Sequence, residues 1–221
     1  MCGKFTQMMS WRELHDLSEL TTTSSGDIET VTPMRMASII ALDDDGKRVT
    51  KRMRWGFARL GAKSPAERPD HMHARAETID SKPTFREAFA HRRGLLVVNT
   101  FNEGEEVTPS KTVQHTITPR DGKPIAIAVI WERWTHRNEG ELLTFVMVTV
   151  PPNKLIARIT DRMPAVIQPN DWSKWLGEEP ATPEDLKALL QTVEGDWDMA
   201  VQAKPQKPPK RPKTTDAPDL F

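Results

Sequence analysis

Cysteine occurs once in the chain of 221 residues, at position 2, directly behind the initiator methionine. A small second residue permits removal of that methionine, which would leave an α-amine and a thiol on adjacent carbons. Such a 1,2-aminothiol traps aldehydes: the amine, with an ordinary pKa of about 8, attacks the carbonyl to give an imine, and the thiol, at about 8.5, closes a five-membered thiazolidine. A nearby carboxyl group would move the protons. By residue type alone, a single thiol near a terminus is equally an incidental one. A cysteine hydrolase would need a histidine partner, and none stands in a known arrangement with Cys2. His71 and His73 form an H-x-H pair whose side chains share one face if the segment is a strand. A metal would need a third ligand, which no neighbouring residue supplies, so no metal or other cofactor is expected. One cysteine also excludes an internal disulfide and a cysteine-rich zinc site, as suits a reducing compartment.

These groups need elements to hold them. Ser10-Trp11-Arg12-Glu13 has the form of a capping box, and Trp11, Leu14, Leu17 and Leu20 follow at helical spacing, which predicts a helix from Ser10. Thr84-Phe85-Arg86-Glu87 repeats the signature and predicts a short helix toward Arg92, ended by Gly94. Thr182, then Pro183, Glu184 and Asp185, start a third helix with an apolar stripe of Leu186, Leu189, Leu190 and Val193, closed by Gly195. Residues 94–100, 124–131 and 142–150 are rich in Val, Ile and Leu and too short for buried helices, so they read as strands. Residues 48–57 give another, led into by the turn Asp43-Asp44-Asp45-Gly46. Helices and strands intermingle without regular alternation, which predicts an α+β domain.

Lys plus Arg and Asp plus Glu number 31 each, so no global field draws the chain to nucleic acid or membrane, and any anion contact must be local. No apolar run approaches the roughly 18 residues of a membrane span, and the start lacks a signal peptide's apolar centre. A cytoplasmic, monomeric protein without membrane partners is expected. One domain over 1–201 is expected, followed by a flexible tail over 202–221 in which prolines and lysines leave too little apolar area to fold.

Several segments together resemble the SRAP family, the SOS response-associated peptidases that sense abasic sites. Met1-Cys2-Gly3-Lys4-Phe5 resembles its M-C-G-R-F start, and Arg54-Trp55-Gly56-Phe57 its R-W-G-L segment. Ala74-Arg75-Ala76-Glu77-Thr78, then Pro83, Phe85-Arg86, Ala88-Phe89 and Arg92-Arg93, keep the order and spacing of the family pattern. Phe101 and Glu103 survive from its L-I-P-A-D-G-F-Y-E strand, while Trp131-Glu132-Arg133-Trp134 and Asp161-Arg162-Met163-Pro164 resemble L-W-E-x-W and H-D-R-M-P. The resemblance spans roughly residues 1 to 176.

What the resemblance implies is a curved, barrel-like, mainly antiparallel sheet with flanking helices, and covalent capture of abasic sites in single-stranded DNA. Cys2 would be the nucleophile and Glu103 the proton shuttle that also removes the leader peptide. His73 stands where the family has asparagine and Thr160 where it has the histidine that helps open the sugar. Threonine cannot act as an acid or base near neutral pH, whereas His73 can, and a catalytically weakened relative that only binds DNA is the alternative reading. Lys4, in the family's arginine position, and Arg75 would hold phosphates, with Arg54 and Arg162 as further candidates. Gly104 replaces a tryptophan that could stack on a base. The terminal Asp219-Leu220-Phe221 resembles the end of the Q-L-D-L-F peptide that docks bacterial proteins onto the sliding clamp, and a tether would raise its effective concentration there. Deleting Leu220 and Phe221 is expected to abolish pull-down by the clamp; undiminished pull-down would exclude this partner.

Overall fold

The computed structural model describes residues 3–7, 29–58, 62–64, 66–138 and 140–202. Cys2, the helix expected from Ser10 and the tail bearing Asp219, Leu220 and Phe221 lie outside the described residues.

The apolar runs form strands, somewhat longer than their sequences suggest: β4 (Arg48–Trp55), β6 (Arg93–Val98), β9 (Ile125–His136) and β10 (Gly140–Val150). With β3 (Met36–Leu42) they close a ring in which β10 pairs with β4, β4 with β3, β3 with β6, β6 with β9, and β9 with β10. Every pairing is antiparallel except that of β4 with β10, at Arg54 to Thr144 and Trp55 to Phe145. Closure explains the apolar runs. Consecutive residues such as Leu95 to Val98 and Phe145 to Val150 are buried, so both faces of these strands are covered and polar alternation disappears.

The ring carries three short additions. Strand β5 (His73–Arg75) runs parallel to β10, while β11 (Met163–Pro164) and β12 (Val166–Ile167) pair with β10 and β9. A second, antiparallel sheet has the order β13 (Trp197–Val201), β8 (Lys111–Pro119), β7 (Thr100–Thr108), β1 (Lys4–Gln7), β2 (Glu29–Val31). The α+β, barrel-like, mainly antiparallel architecture is therefore as expected. Strands β1, β8 and β13 lack long apolar runs and draw stability from their partners, whereas β3 has one, Ile39 to Leu42, that the sequence expectation did not include.

Two helix readings are corrected by packing. Helix α1 (Arg86–His91) begins behind Phe85, with no side-chain cap from Thr84, because Phe85, Ala88 and Phe89 are turned into the core. Its end is held by Arg93, whose guanidinium donates to the carbonyls of Phe89 and Ala90 and, at 2.6 Å, to that of Trp175 in α2 (Trp172–Leu176). One cation thus satisfies the C-terminal carbonyls of two helices. Burial lowers the Arg93 pKa. Helix α3 (Pro183–Ala188) has the expected start, a capping box between Thr182 and Asp185, but stops near Leu189 rather than Gly195. The Thr192 hydroxyl donates to the Pro151 carbonyl, and the Asn153 amide to those of Val193 and Glu194, so these residues leave the helical path to bind the loop behind β10.

Gly94 does not end a helix; it lies inside β6. A Cβ there would approach Ile39 Cγ2 to 2.8 Å and the Ile40 carbonyl oxygen to 2.9 Å, so this crossing of β6 and β3 admits only hydrogen. Gly94→Ala should destabilise the domain by about 1–3 kcal/mol through overpacking. Denaturant titration with an unchanged midpoint would contradict that assignment.

Candidate active site

The site is assembled where the two sheets face each other. Strand β1 pairs with β7 through Lys4 to Asn102 and Phe5 to Phe101, and the Gly3 amide donates to the Asn102 carbonyl at 3.3 Å. Gly3 is the residue joined to Cys2. On the other side of β7, Asn102 faces Thr116 and Glu103 faces His115 of β8. Alternation puts Glu103 on the same face as Phe101, which is buried. Glu103 is 0% exposed. Glu105 and Glu106, which follow it on β7, are half-buried and exposed.

The opposing wall is reached through aromatic contacts. Phe5 lies 5.3 Å, centroid to centroid, from Trp55, and Trp55 meets His73 edge-on at 5.8 Å. The Trp55 indole N–H donates to the Met72 carbonyl at 3.0 Å, which fixes the entry to β5. His73 is half-buried on β5, opposite Met147 of β10. His71, by contrast, packs edge-on against Phe85 at 5.1 Å and lines a cleft of about 800 Å³ with Arg92, Trp134 and His136. The H-x-H pair therefore diverges. Among the described residues no three His, Cys, Asp or Glu side chains converge as a metal site would require.

Thr160 is half-buried and precedes β11. Thr149 of β10 is the register partner of both Arg75 in β5 and Pro164 in β11, so the two segments flank one stretch of β10. They are also braced. The Arg162 guanidinium grips Glu77 in a fork, at 2.5 and 2.8 Å, and donates to the Thr149 carbonyl at 2.7 Å. The hydrogen bond from Arg162 holds the Glu77 carboxyl below its usual range, against a smaller opposing effect of burial.

The cations divide accordingly. Arg162 is 8% exposed and committed to Glu77, and Arg54 is 6% exposed with a pKa lowered by desolvation. Both are largely buried, and Arg162 braces the fold through Glu77. Arg75 is exposed and Lys4 half-buried, so these two remain accessible to an anion. At Gly104, a Cβ would come within 2.8 Å of Thr112 Cγ2 and 2.9 Å of Gln114 Nε2. The neighbouring strand has closed over the place of an aromatic ring.

One residue escapes any reading of the sequence. His115 is buried, its Nε2 lies 2.8 Å from Oε2 of Glu105, and it stands directly across from Glu103. Only the register of β7 against β8 brings these three together.

Comparison with known proteins converges on one family. The family model described as SOS response associated peptidase matches residues 1–205. The abasic site processing protein YoqW of Bacillus subtilis is 27% identical over 200 residues, covering 89% of each chain. An abasic site processing protein of Saccharomyces cerevisiae is 24% identical over 144 residues, 62% of this chain and 38% of that one. Among solved structures, a protein of Bacteroides thetaiotaomicron superposes with a TM-score of 0.78 at 21% identity, covering 96% of this chain and 97% of the other. One from Bordetella bronchiseptica gives 0.76 at 19%, covering 92% and 100%.

The Glu77–Arg162 brace sets a pH dependence of stability. A carboxyl whose folded pKa is depressed stabilises the fold above the unfolded value of about 4.3, and that contribution is lost as the pH falls through the lowered folded value. Because Glu77 is half exposed, Glu77→Gln should cost only about 1–2 kcal/mol at neutral pH. Chemical denaturation should show the two proteins converging as the pH falls below about 4, the unfolded range. A constant gap across that range would rule out the ion pair as its source.

Proposed function

The chain belongs to the SOS response associated peptidase family, and from that premise we propose that it processes abasic sites in single-stranded DNA by capturing the opened deoxyribose on Cys2. The observation that carries the reading is the placement of Glu103, a fully buried carboxyl group on β7 next to Asn102, whose carbonyl accepts from the Gly3 amide just ahead of β1.

Removal of Met1 frees the α-amine of Cys2. That amine adds to the aldehyde carbon of the opened sugar, and the resulting carbinolamine loses its hydroxyl as water to give an imine. The thiol then gives up its proton as sulfur bonds to the same carbon, closing the thiazolidine. The sum is one water released for one ring formed. Glu103 is the group that donates to the departing hydroxyl and accepts from the thiol, and it also serves release of the leader residue. Lys4 and Arg75 hold the flanking phosphates, which positions the sugar without reading sequence. Opening the sugar ring needs an acid or base, and with threonine at position 160 that task falls to His73.

A second reading is favoured by a specific set of residues. Thr160 carries no group that titrates near neutral pH, Lys4 lacks the arginine fork, and the space at Gly104 is closed by Thr112 and Gln114. A chain so altered would bind abasic DNA reversibly.

Incubation with single-stranded DNA carrying one abasic site, followed by a denaturing gel, separates the two. A shifted band is expected, absent in Cys2→Ala and formed about 100-fold more slowly in Glu103→Gln. Binding without a band would establish the reversible reading, and neither binding nor a band would refute both.

A further inference from the structure

We propose that His115 is a positioning residue of this site, carrying protons between the buried Glu103 and solvent by way of Glu105. The inference rests on the covalent-capture reading above and deepens it.

The need for such a route follows from the chemistry. An α-amine with an ordinary pKa of about 8 is mostly ammonium at neutral pH, and it must lose a proton before it can attack. The later proton transfers cancel, since the one given to the departing hydroxyl is returned by the thiol. The proton from the ammonium does not cancel and has to reach bulk water. Glu103 is 0% exposed and so cannot pass it to water directly.

The arrangement on β7 and β8 supplies a path. Glu103 and Glu105 are two residues apart on β7, and their side chains therefore share a face. His115 is the directly opposed partner of Glu103, which places their Cβ atoms about 4.5–5.5 Å apart. Its Nε2 lies 2.8 Å from Glu105 Oε2, leaving Nδ1 as the second exchange site. Side-chain exposure rises along the row, from the wholly buried Glu103 through His115 at 10% to Glu105 at 38%. An imidazole can take a proton at one nitrogen and release it from the other, which suits it to a relay and not only to a brace. The flanking strands offer no substitute: the register partner of His115 on β13 is Val201, and on β1 the residue before Lys4 is Gly3. On this face of β7 and β8 the titratable side chains are Glu103, Glu105 and His115, while by alternation Glu106 and Lys4 lie on the opposite face.

The test measures single-turnover capture of abasic single-stranded DNA by the full chain, alongside the Kd for the same DNA lacking the abasic site. His115→Gln keeps a hydrogen-bonding partner for Glu105 but cannot relay. It should slow capture about tenfold or more with the Kd unchanged. His115→Ala should be slowed similarly and be restored toward the parent rate by free imidazole, which a purely structural loss would not be. Glu105→Gln, at the exposed end and tolerant of replacement, should show a smaller loss of about threefold, again in rate and not in Kd. Parent-like rates in His115→Gln, or a deficit in His115→Ala that imidazole leaves unchanged, overturn the relay. If His115 variants fail to fold, an unchanged rate in Glu105→Gln overturns it, and a slowed rate with unchanged Kd supports it. A Cys2-dependent band indifferent to these changes overturns this inference alone, whereas absence of any such band in the parent protein overturns the covalent reading and this inference together.

Discussion

The contact of Trp55 with both sheets is the constraint on which the arrangement depends. Its ring packs on Phe5 of the five-stranded sheet, stacks near Phe145 of the ring of strands and meets His73 edge-on, while its indole N–H is spent on the Met72 carbonyl. Each aromatic pair adds about 0.5–1.5 kcal/mol beyond the area buried, but their positional effect matters more. Gly3 lies beside β7 because β1 pairs with β7, and β1 is oriented against the ring of strands by Phe5 on Trp55. His73 is set by the same indole. One large side chain thereby fixes β1 and His73 relative to each other.

The second organising constraint is the cost of burying charge. An isolated buried ion is expensive, so a fold that encloses charged groups must pair them or use them. Arg162 with Glu77 and Arg93 with three carbonyls follow the first course, locking β11 to the segment after β5 and two helix ends to β6. Those arginines are therefore fixed in the structure. In a chain with equal numbers of acidic and basic residues, the four cations singled out by the family resemblance differ in burial: Arg75 is exposed and Lys4 half-buried, while Arg54 and Arg162 are buried.

The fold was legible where a segment's own residues decide its structure. The apolar runs from Leu95, Ile125 and Leu142 read as strands because closure of the ring buries both their faces. The turn at Asp43 to Gly46 and the cap at Thr182 were likewise visible, since both are made by residues within four positions of each other. Elsewhere partners distant in sequence prevailed. Asn153 and Thr192 draw the chain out of helical register after Leu189, and Gly94, a helix stop by its type, proves to be a close crossing of two strands. Strands β7 and β8 carry polar residues on alternate positions and hold together through mutual pairing and flanking strands.

By itself the sequence determined the chemistry on offer: one thiol placed where an α-amine can join it, a family pattern running from Met1 to Pro164, and the exchanges at His73, Thr160, Lys4 and Gly104. These are covalent facts about residue type and order. Tertiary structure alone decided which groups act together and which are structural. It buried Glu103, turned Arg54 and Arg162 inward, separated His71 from His73, and set His115 opposite Glu103 and against Glu105. The reason is register. A shift of one residue between β7 and β8 would send Glu103 and His115 to opposite faces, and that register is set by the core packing of Phe101 and Ile117, not by the polar residues whose meeting it determines.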